Sequence, residues 1–214
     1  TLGASAIATG DNIAMGLGND TLTIAAGTTS GTIVGTVNGG DGTDTLAMGY
    51  ADAVAVSASA AFDAEVLGFE HLTVNDLAGT VNGAADTHTV NLANLIYDYV
   101  TVSGIAIDAG FTDTLAFTGM AANGTVAFAT TTAAADLYTV ALADATGLTD
   151  AINYVLASTN ETSATKVADG TPGTANNAGT ITANAIETFN ISSTAVDVDG
   201  ATNVITANGD TVTT

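Results

Sequence analysis

The sequence predicts a mainly β protein, either a β-solenoid or a layered β-sandwich, with Gly- and Asp-rich turns and one or two short helices. Only 11% of its 214 residues are charged, against about 25% in an average domain, so its polarity comes from Thr, Asn, Ser and Gly. Thr and Val favour the pleated surface of a strand. The 24 glycines, several of them in Asn-Gly or Asp-Gly steps, favour tight turns between strands.

The predicted strands are short segments in which apolar and polar residues alternate between Gly, Asn or Asp residues. In chain order they are residues 69–74, 90–96, 99–107, 114–118, 125–130, 137–142, 180–184, 186–191, 195–198 and 204–207. Residues 1–46 read as Gly-rich turns between further short strands. Segments 59–67 and 149–157 carry apolar residues at helical spacing, so we predict a short helix in each.

The composition also suggests a division of the chain. Residues 1–157 form a main β domain that holds the candidate metal loops. Residues 158–179 are polar and contain the single proline, Pro172, and the single lysine, Lys166, so we expect a long surface loop or a boundary there. Residues 180–214 then form a C-terminal strand set packed on the main domain.

The charge balance limits the possible partners. The chain has 22 carboxylates and one cationic side chain, for a net charge of -21. Its acids therefore need solvent, salt or bound metal for neutralisation, and calcium is the first metal to consider. The same charge repels nucleic acid and anionic lipid, and no window approaches the ~18 apolar residues of a membrane span. We predict no nucleic-acid partner and no membrane insertion.

One loop carries a motif with specific chemistry. Residues 39–47, Gly-Gly-Asp-Gly-Thr-Asp-Thr-Leu-Ala, fill every defined position of the calcium-binding nonapeptide Gly-Gly-x-Gly-x-Asp-x-apolar-x. The glycines let the chain turn tightly with its carbonyl groups inward, and the Asp supplies the hard oxygen that calcium prefers. The alternative is an ordinary hairpin turn in a Gly- and Asp-rich chain.

A partial copy of this loop, Gly-Leu-Gly-Asn-Asp-Thr-Leu, lies at residues 16–22, 24 residues earlier. Because 24 is not a multiple of nine, the two are not neighbouring turns of a strict nonapeptide roll, although each could close one coil of a longer solenoid. A third Asp-Thr-Leu, at residues 113–115, lacks the glycines and reads as a strand start. The candidate calcium ligands are Gly39, Gly40, Asp41, Gly42 and Asp44, with Gly16, Gly18 and Asp20 in the partial copy.

The loop at 39–47 resembles the repeats-in-toxin nonapeptide. Together with the Asp-Thr-Leu starts, the Phe-Glu-x-Leu-x-Val and Ile-Glu-x-Phe-x-Ile phrases, and the Thr- and Ala-rich, cation-poor background, it resembles bacterial surface-layer proteins exported by type I secretion. The resemblance implies a β-solenoid or β-sandwich body, calcium-dependent folding and calcium-dependent lattice assembly at the cell surface. This chain departs from the family because only one loop is complete, whereas the family's loops stack in tandem and share each ion.

Other kinds of site have weaker signals. His71 and His88 lack zinc-ligand spacing, and the chain has no cysteine, so we predict neither a zinc site nor a disulfide scaffold. Acid pairs such as Glu65 and Glu70, or Asp197 and Asp199, could suggest a glycosidase. However, the chain has no Trp to line a sugar site and no Arg to clamp an anion. We therefore predict that the protein is not an enzyme.

These observations lead to one functional expectation and two rivals. We expect an extracellular structural subunit of the bacterial cell surface that self-assembles into a layer or filament with calcium, with cell-surface polysaccharide as a further partner. Residues 1–9, in which Leu2, Ala4, Ala6 and Ala8 share one face, are candidates for strand donation to a neighbour. The first rival is a calcium-binding accessory or export domain of a larger secreted hydrolase or toxin. The second is an adhesin module with 158–179 as its contact surface.

Since no basic-then-apolar leader follows Thr1, we expect a processed product, a piece of a larger chain, or cargo of a route without an N-terminal signal.

Overall fold

Apart from the last two strands, which pair with each other, strands that follow one another in the chain lie in different sheets, and most strands two apart in sequence pair side by side and in parallel. In this computed structural model the chain is therefore a parallel β-solenoid, which confirms the solenoid alternative over the sandwich. The structure describes residues 2–3, 11–24, 35–75, 85–103, 113–129, 137–156, 180–183, 185–193 and 212–213.

The strands of the described residues are mostly three to seven residues long. In chain order they are β1 (Leu2–Gly3), β2 (Asn12–Ala14), β3 (Thr21–Thr23), β4 (Thr36–Asn38), β5 (Thr45–Gly49), β6 (Val66–Leu67), β7 (His71–Asn75), β8 (Thr87–Asn91), β9 (Tyr99–Ser103), β10 (Thr114–Met120), β11 (Thr125–Phe128), β12 (Leu137–Leu142), β13 (Ala151–Leu156), β14 (Thr180–Ala183), β15 (Thr188–Ser193) and β16 (Val212–Thr213). The odd-numbered strands and β16 form one nine-stranded sheet. The other face consists of a three-stranded sheet, β2-β4-β6, and a four-stranded sheet, β8-β10-β12-β14.

The register of the nine-stranded sheet shows how the sequence repeats. Leu22 pairs with Leu46, Leu46 with Leu72, Leu72 with Val100, and Val100 with Val126, so these coils are 24, 26, 28 and 26 residues long. All five side chains are fully buried. Because strand side chains alternate between faces, each coil places one such residue at the same inward position, and the rows of buried residues form a continuous core between the two faces.

The two faces are joined by bulky apolar side chains from both. Phe128 of the nine-stranded sheet packs edge-to-face on Tyr138 of β12, with ring centroids 5.1 Å apart, and both rings are buried. Phe117 and Met120 of β10 fill the same interior. Outward positions are mainly Thr and Asn, which fits the Thr-rich composition and leaves little charge on the strand faces themselves.

One helix interrupts the second face. Helix α1 (Tyr50–Val56) buries Tyr50, Ala53 and Val56 and packs against β8, beyond the last strand of the three-stranded sheet. Ser57 follows the helix and bonds to the next coil. Its Oγ accepts a hydrogen bond from Asn91 N at 3.0 Å, and its carbonyl accepts one from Asn94 Nδ2 at 2.9 Å. No helix among the described residues is long and apolar enough to cross a membrane.

A short helix is present as predicted, but neither of the two predicted positions was right. Segment 59–67 consists of turns followed by β6, although Phe62 and Val66 are buried together. Segment 149–157 contains β13, whose Ile152 and Tyr154 alternate inward and whose edges pair with β11 and β15. Pairing on both sides outweighs the local helical spacing, as tertiary context commonly does.

The strand predictions were more accurate than the helix predictions. Strands are present within or overlapping the segments predicted at 69–74, 90–96, 99–107, 114–118, 125–130, 137–142, 180–184 and 186–191, and β10 begins directly after Asp113 as predicted. In the second of these a 3-10 turn (Leu92–Asn94) follows β8. The strands predicted at 195–198 and 204–207 and the segment 158–179 lie outside the described residues. After segment 158–179, β14 pairs with β12 and β15 pairs with β13, so both faces of the solenoid continue.

One interior hydroxyl offers a test of the core. The side-chain oxygen of Tyr154 is buried and has no hydrogen-bond partner among the described residues, and burial raises the pKa of this Tyr above its ordinary value. Because a buried polar group without a partner costs roughly 1 to 3 kcal/mol, Tyr154→Phe should leave the free energy of unfolding unchanged or raise it by about 1 kcal/mol. A urea titration that shows marked destabilisation instead would reveal a hydrogen bond to this oxygen.

Candidate metal centre at the acidic corner

Seven segments that lead from the second face into the nine-stranded sheet stack on one another along a single corner of the solenoid. We call this stack the acidic corner: residues 15–20, 39–44, 67–70, 92–98, 121–124, 143–150 and 185–187, of which Leu67 is also the last residue of β6. In six of them the residue directly before the strand of the nine-stranded sheet is acidic: Asp20, Asp44, Glu70, Asp98, Asp150 and Glu187. The predicted metal loop and its partial copy are the first two segments.

The loop and its partial copy are neighbouring coils with the same backbone shape. Gly16 and Gly40 have φ of 107° and 109°, a conformation that L side chains rarely adopt. Asp41 N donates to Gly16 O at 2.9 Å, and Gly18 N donates to Asp41 O at 2.8 Å. The 24-residue spacing is therefore one solenoid coil, the alternative that the sequence left open, and the two turns stack in register.

Asp44 is the most unusual residue of this pair of turns. Its side chain is 0% exposed. One oxygen, Oδ1, accepts a hydrogen bond from Asp20 N at 2.7 Å, whereas the buried Oδ2 has no hydrogen-bond partner in the part of the chain that the structure describes. Its own backbone N–H donates to Glu70 Oε2 at 2.7 Å. A buried carboxylate oxygen without a donor or a cation is costly, so Asp44 Oδ2 needs a ligand; Asp150 Oδ2, farther along the same corner, is a second buried carboxylate oxygen without a partner among the described residues.

Gly39 makes room for that carboxylate. A Cβ at residue 39 would lie 2.4 Å from Asp44 Oδ2 and 2.2 Å from Gly68 O of the next coil. Both distances are far below van der Waals contact, so only glycine fits. The first glycine of the motif therefore has a steric role, and it leaves an anionic oxygen and a main-chain oxygen from neighbouring coils on the same side of the turn.

The eight predicted ligand residues thus meet in two stacked turns but differ in burial. Gly39 and Asp44 are buried and Asp20 is half-buried, while Gly16, Gly18, Gly40, Asp41 and Gly42 are exposed. Their carboxylates do not form a metal-binding cluster, because no group of three or more His, Cys, Asp or Glu side chains with that arrangement occurs among the described residues. A cation here would use Asp44 Oδ2 and main-chain oxygens. These donor types fit calcium, which accepts carbonyl oxygens readily.

One expected member of the charge cluster is placed elsewhere. The sequence suggests repulsion among Asp41, Asp44 and Asp52, but Asp52 lies in helix α1, beyond the five-residue strand β5 that begins just after Asp44. It is 7% exposed. Any charge repulsion that calcium relieves therefore concerns the stacked turns and not Asp52.

A ladder of carboxylates links neighbouring coils, and it was not predicted from the sequence. In the same way that Asp44 binds Asp20 N, Glu187 Oε2 accepts a hydrogen bond from Asp150 N at 2.9 Å. On the opposite corner, before the strands of the second face, Asp113 Oδ1 accepts one from Asp86 N at 2.8 Å. Each acid thus binds the backbone N–H of the corresponding residue one coil earlier. The sequence signal was available, since an acid directly before an alternating strand recurs every 24 to 28 residues over Asp20, Asp44, Glu70 and Asp98.

The remaining electrostatics of the corner are uniformly negative. Burial raises the pKa of Tyr97, and the carboxylates of Asp63 and Glu70 raise it further. Hydrogen bonds from the Thr146 hydroxyl and N–H lower the pKa of Asp144. The two histidines pack on aromatic rings of the strands and helix: His71 stacks on Tyr99 with ring centroids 4.1 Å apart, and His88 packs edge-to-face against Tyr50 with centroids 4.6 Å apart.

Ile96 occupies a strained position on this corner. Its φ is 55°, in the left-handed region that is rare for β-branched residues, and its side chain is 72% exposed. Ile96→Asn should therefore raise the free energy of unfolding by about 1 kcal/mol, because Asn tolerates this conformation and little apolar burial is lost. Urea midpoints of the two proteins check this. A lower midpoint for the variant would show that the Ile96 side chain stabilises the fold.

Comparison of the chain with protein-family models, with curated proteins and with solved structures finds no match.

Proposed function

We propose that this chain is a calcium-stabilised structural module of a bacterial surface assembly. The observation that carries the proposal is Asp44, a fully buried carboxylate with a partnerless oxygen at the centre of two stacked Gly-Asp turns. The position also completes the nonapeptide pattern at residues 39–47. Calcium at this oxygen would tie neighbouring coils together at one end of the described solenoid.

The chain offers very little positive charge that could neutralise Asp44. Lys166 is the only Lys or Arg in the chain, against 22 acids. Sodium and potassium screen exposed charges, but a buried carboxylate needs a cation that binds oxygens directly. Calcium takes six to eight oxygens at flexible geometry, including carbonyls, which suits a turn made of glycines and one Asp.

The solenoid also supplies a physical basis for assembly. Among the described residues, β1 and β16 are the end strands of the nine-stranded sheet, and each is paired on one side only. An unpaired strand edge can accept a strand from another chain. With a net charge of -21, two copies that approach each other repel strongly at low salt, so we propose that calcium bridges carboxylates of neighbouring copies.

Assembly should therefore depend on calcium rather than on ionic strength. We expect light scattering and negative-stain microscopy to show polymers at about 1 to 10 mM calcium, which exceeds the dissociation constants of roughly 0.1 to 1 mM of extracellular calcium sites, and single particles at a much higher sodium concentration. If residues 1–9 donate a strand to a neighbouring copy, their deletion should keep calcium binding but abolish the polymers. Polymers that form equally well in chelator would exclude calcium from assembly, and single particles under every condition would favour the accessory-domain rival.

A further inference from the structure

The four large apolar side chains that are exposed in the described part of the chain all lie on the acidic corner. They are Leu17, Leu67, Ile96 and Leu148, with exposed fractions of 83%, 42%, 72% and 88%. Isolated apolar residues on a surface need no explanation, but a single row of them does. This row, the apolar ridge, comes from four different coils.

Each residue of the apolar ridge is followed closely in sequence by an acid. Two or three positions after it comes the acid that precedes a strand of the nine-stranded sheet, in the pairs Leu17 and Asp20, Leu67 and Glu70, Ile96 and Asp98, and Leu148 and Asp150. In the complete Gly-Asp turn, Asp41 takes the place of Leu17, with which it pairs across the coils. The corner is thus a strip in which apolar and anionic groups alternate.

The strip has a definite length. Five coil steps separate the segment of Leu17 from that of Leu148, and neighbouring parallel strands lie about 4.8 Å apart, so the apolar ridge extends over roughly 24 Å. A helix of about 16 residues covers the same distance. The strained backbone at Ile96 adds independent support, because strain that holds an apolar side chain in solvent does not help folding and is typical of functional positions.

We propose that the acidic corner is a docking surface for a basic amphipathic segment of another protein, with apolar side chains of that segment on the ridge and its Lys or Arg side chains on the flanking acids. Charge decides the occupant. A second copy of this chain would bring a net charge of -21 and a single lysine, so it has too few cationic side chains to match the row of acids on the corner. Opposite charges across an interface steer association and suppress wrong partners.

A synthetic peptide of about 18 residues provides the probe, since that length matches the ridge. It carries Leu at a and d heptad positions and Lys elsewhere, and its control is a peptide of the same composition in which the Leu residues do not share one face. Both are labelled with fluorescein and titrated with the full chain at about 0.15 M salt, where distant charges are screened. Every titration contains the same calcium concentration.

We expect the patterned peptide to bind at least about tenfold more tightly than the control peptide, because only it can place apolar groups on the ridge. The double variant Leu17→Ser with Leu148→Ser should weaken its binding about tenfold without any change of charge. Among single acids, Asp98→Asn should weaken binding about threefold, whereas Asp11→Asn, an exposed acid before β2 on the opposite corner, should leave it unchanged.

Three results would overturn the proposal. Equal affinity of the two peptides, or equal effects of Asp98→Asn and Asp11→Asn, would mean a diffuse attraction of cations to an acidic protein. If the Leu17→Ser, Leu148→Ser variant kept peptide binding but lost self-association in light scattering, the ridge would be a contact between copies of this chain. These substitutions are at exposed positions, so the variants should keep the wild-type circular dichroism spectrum.

Discussion

Gly40→Ala should destabilise the protein by about 3 to 5 kcal/mol, enough to unfold a protein of ordinary stability at moderate temperature. A Cβ at residue 40 would lie 2.0 Å from Gly16 O in the neighbouring coil. That oxygen accepts the hydrogen bond from Asp41 N, so the coils must move apart and the bond must lengthen. The φ of 109° adds backbone strain for any residue with a side chain. Urea titration followed by circular dichroism measures the effect.

Gly16→Ala is the matched control. Gly16 has nearly the same φ, 107°, but a Cβ there would meet nothing within 4 Å. Its substitution should therefore cost only the backbone strain, about 1 to 2 kcal/mol. The difference between the two variants isolates the contact between stacked turns. Equal destabilisation by both would mean that the turns do not stack as described.

Calcium should raise the melting temperature of the wild-type protein, and Asp44→Asn should remove that rise. Binding at a hundredfold excess over the dissociation constant adds about 2.7 kcal/mol, which corresponds to roughly 5 to 10 °C for a chain of this size. Asparagine keeps an acceptor for the hydrogen bond from Asp20 N but replaces the anionic Oδ2 with an amide. Melting curves with calcium and with chelator, at one ionic strength, give both values.

Two further variants separate the loss of the Asp44 hydrogen bond and of a general negative charge from the loss of a calcium ligand. Asp44→Ala also loses the acceptor for Asp20 N, so in chelator it should melt below Asp44→Asn by the equivalent of about 1 kcal/mol. Asp98→Asn removes one exposed charge from the same corner and should keep the calcium-dependent rise. Asp52 would not serve as this control, because it is buried in helix α1. Identical melting temperatures of the wild-type protein in calcium and chelator would exclude calcium binding from the account of stability.

Much of the fold could be predicted because solenoid strands carry strong local signals. The alternation of Leu22, Leu46 and Leu72 with Thr or His neighbours marks the inward rows, and the Gly-Asp turns mark where two of the strands begin. What alternation cannot give is which strand pairs with which. The pairing follows from the coil length of 24 to 28 residues, and this period appears most clearly in the acids that precede the strands, which were not aligned with one another from the sequence alone.

The wrong and missing predictions also arise because local sequence does not show which segments pair. Residues Ala151–Leu156 have apolar groups at helical spacing, but two neighbouring strands with unpaired edges flank the segment and fix it as β13. Helix α1 has no side-chain cap at its N-cap residue, Gly49, so its start had no sequence signal. Glu70 reads in sequence as a polar strand position, yet its function is to bind Asp44 N in the preceding coil. Such contacts between coils depend on register, which local patterns do not contain.

Titration calorimetry of calcium into the wild-type protein, Asp44→Asn and Asp98→Asn tests the central claim most directly. If calcium binds in the stacked Gly-Asp turns, the wild-type protein and Asp98→Asn should give the same saturable isotherm with a dissociation constant of roughly 0.1 to 1 mM or lower, and Asp44→Asn should lose that phase. Both variants lose one negative charge, so a general counterion effect would change them equally. The same isotherm for Asp44→Asn and the wild-type protein would contradict the account.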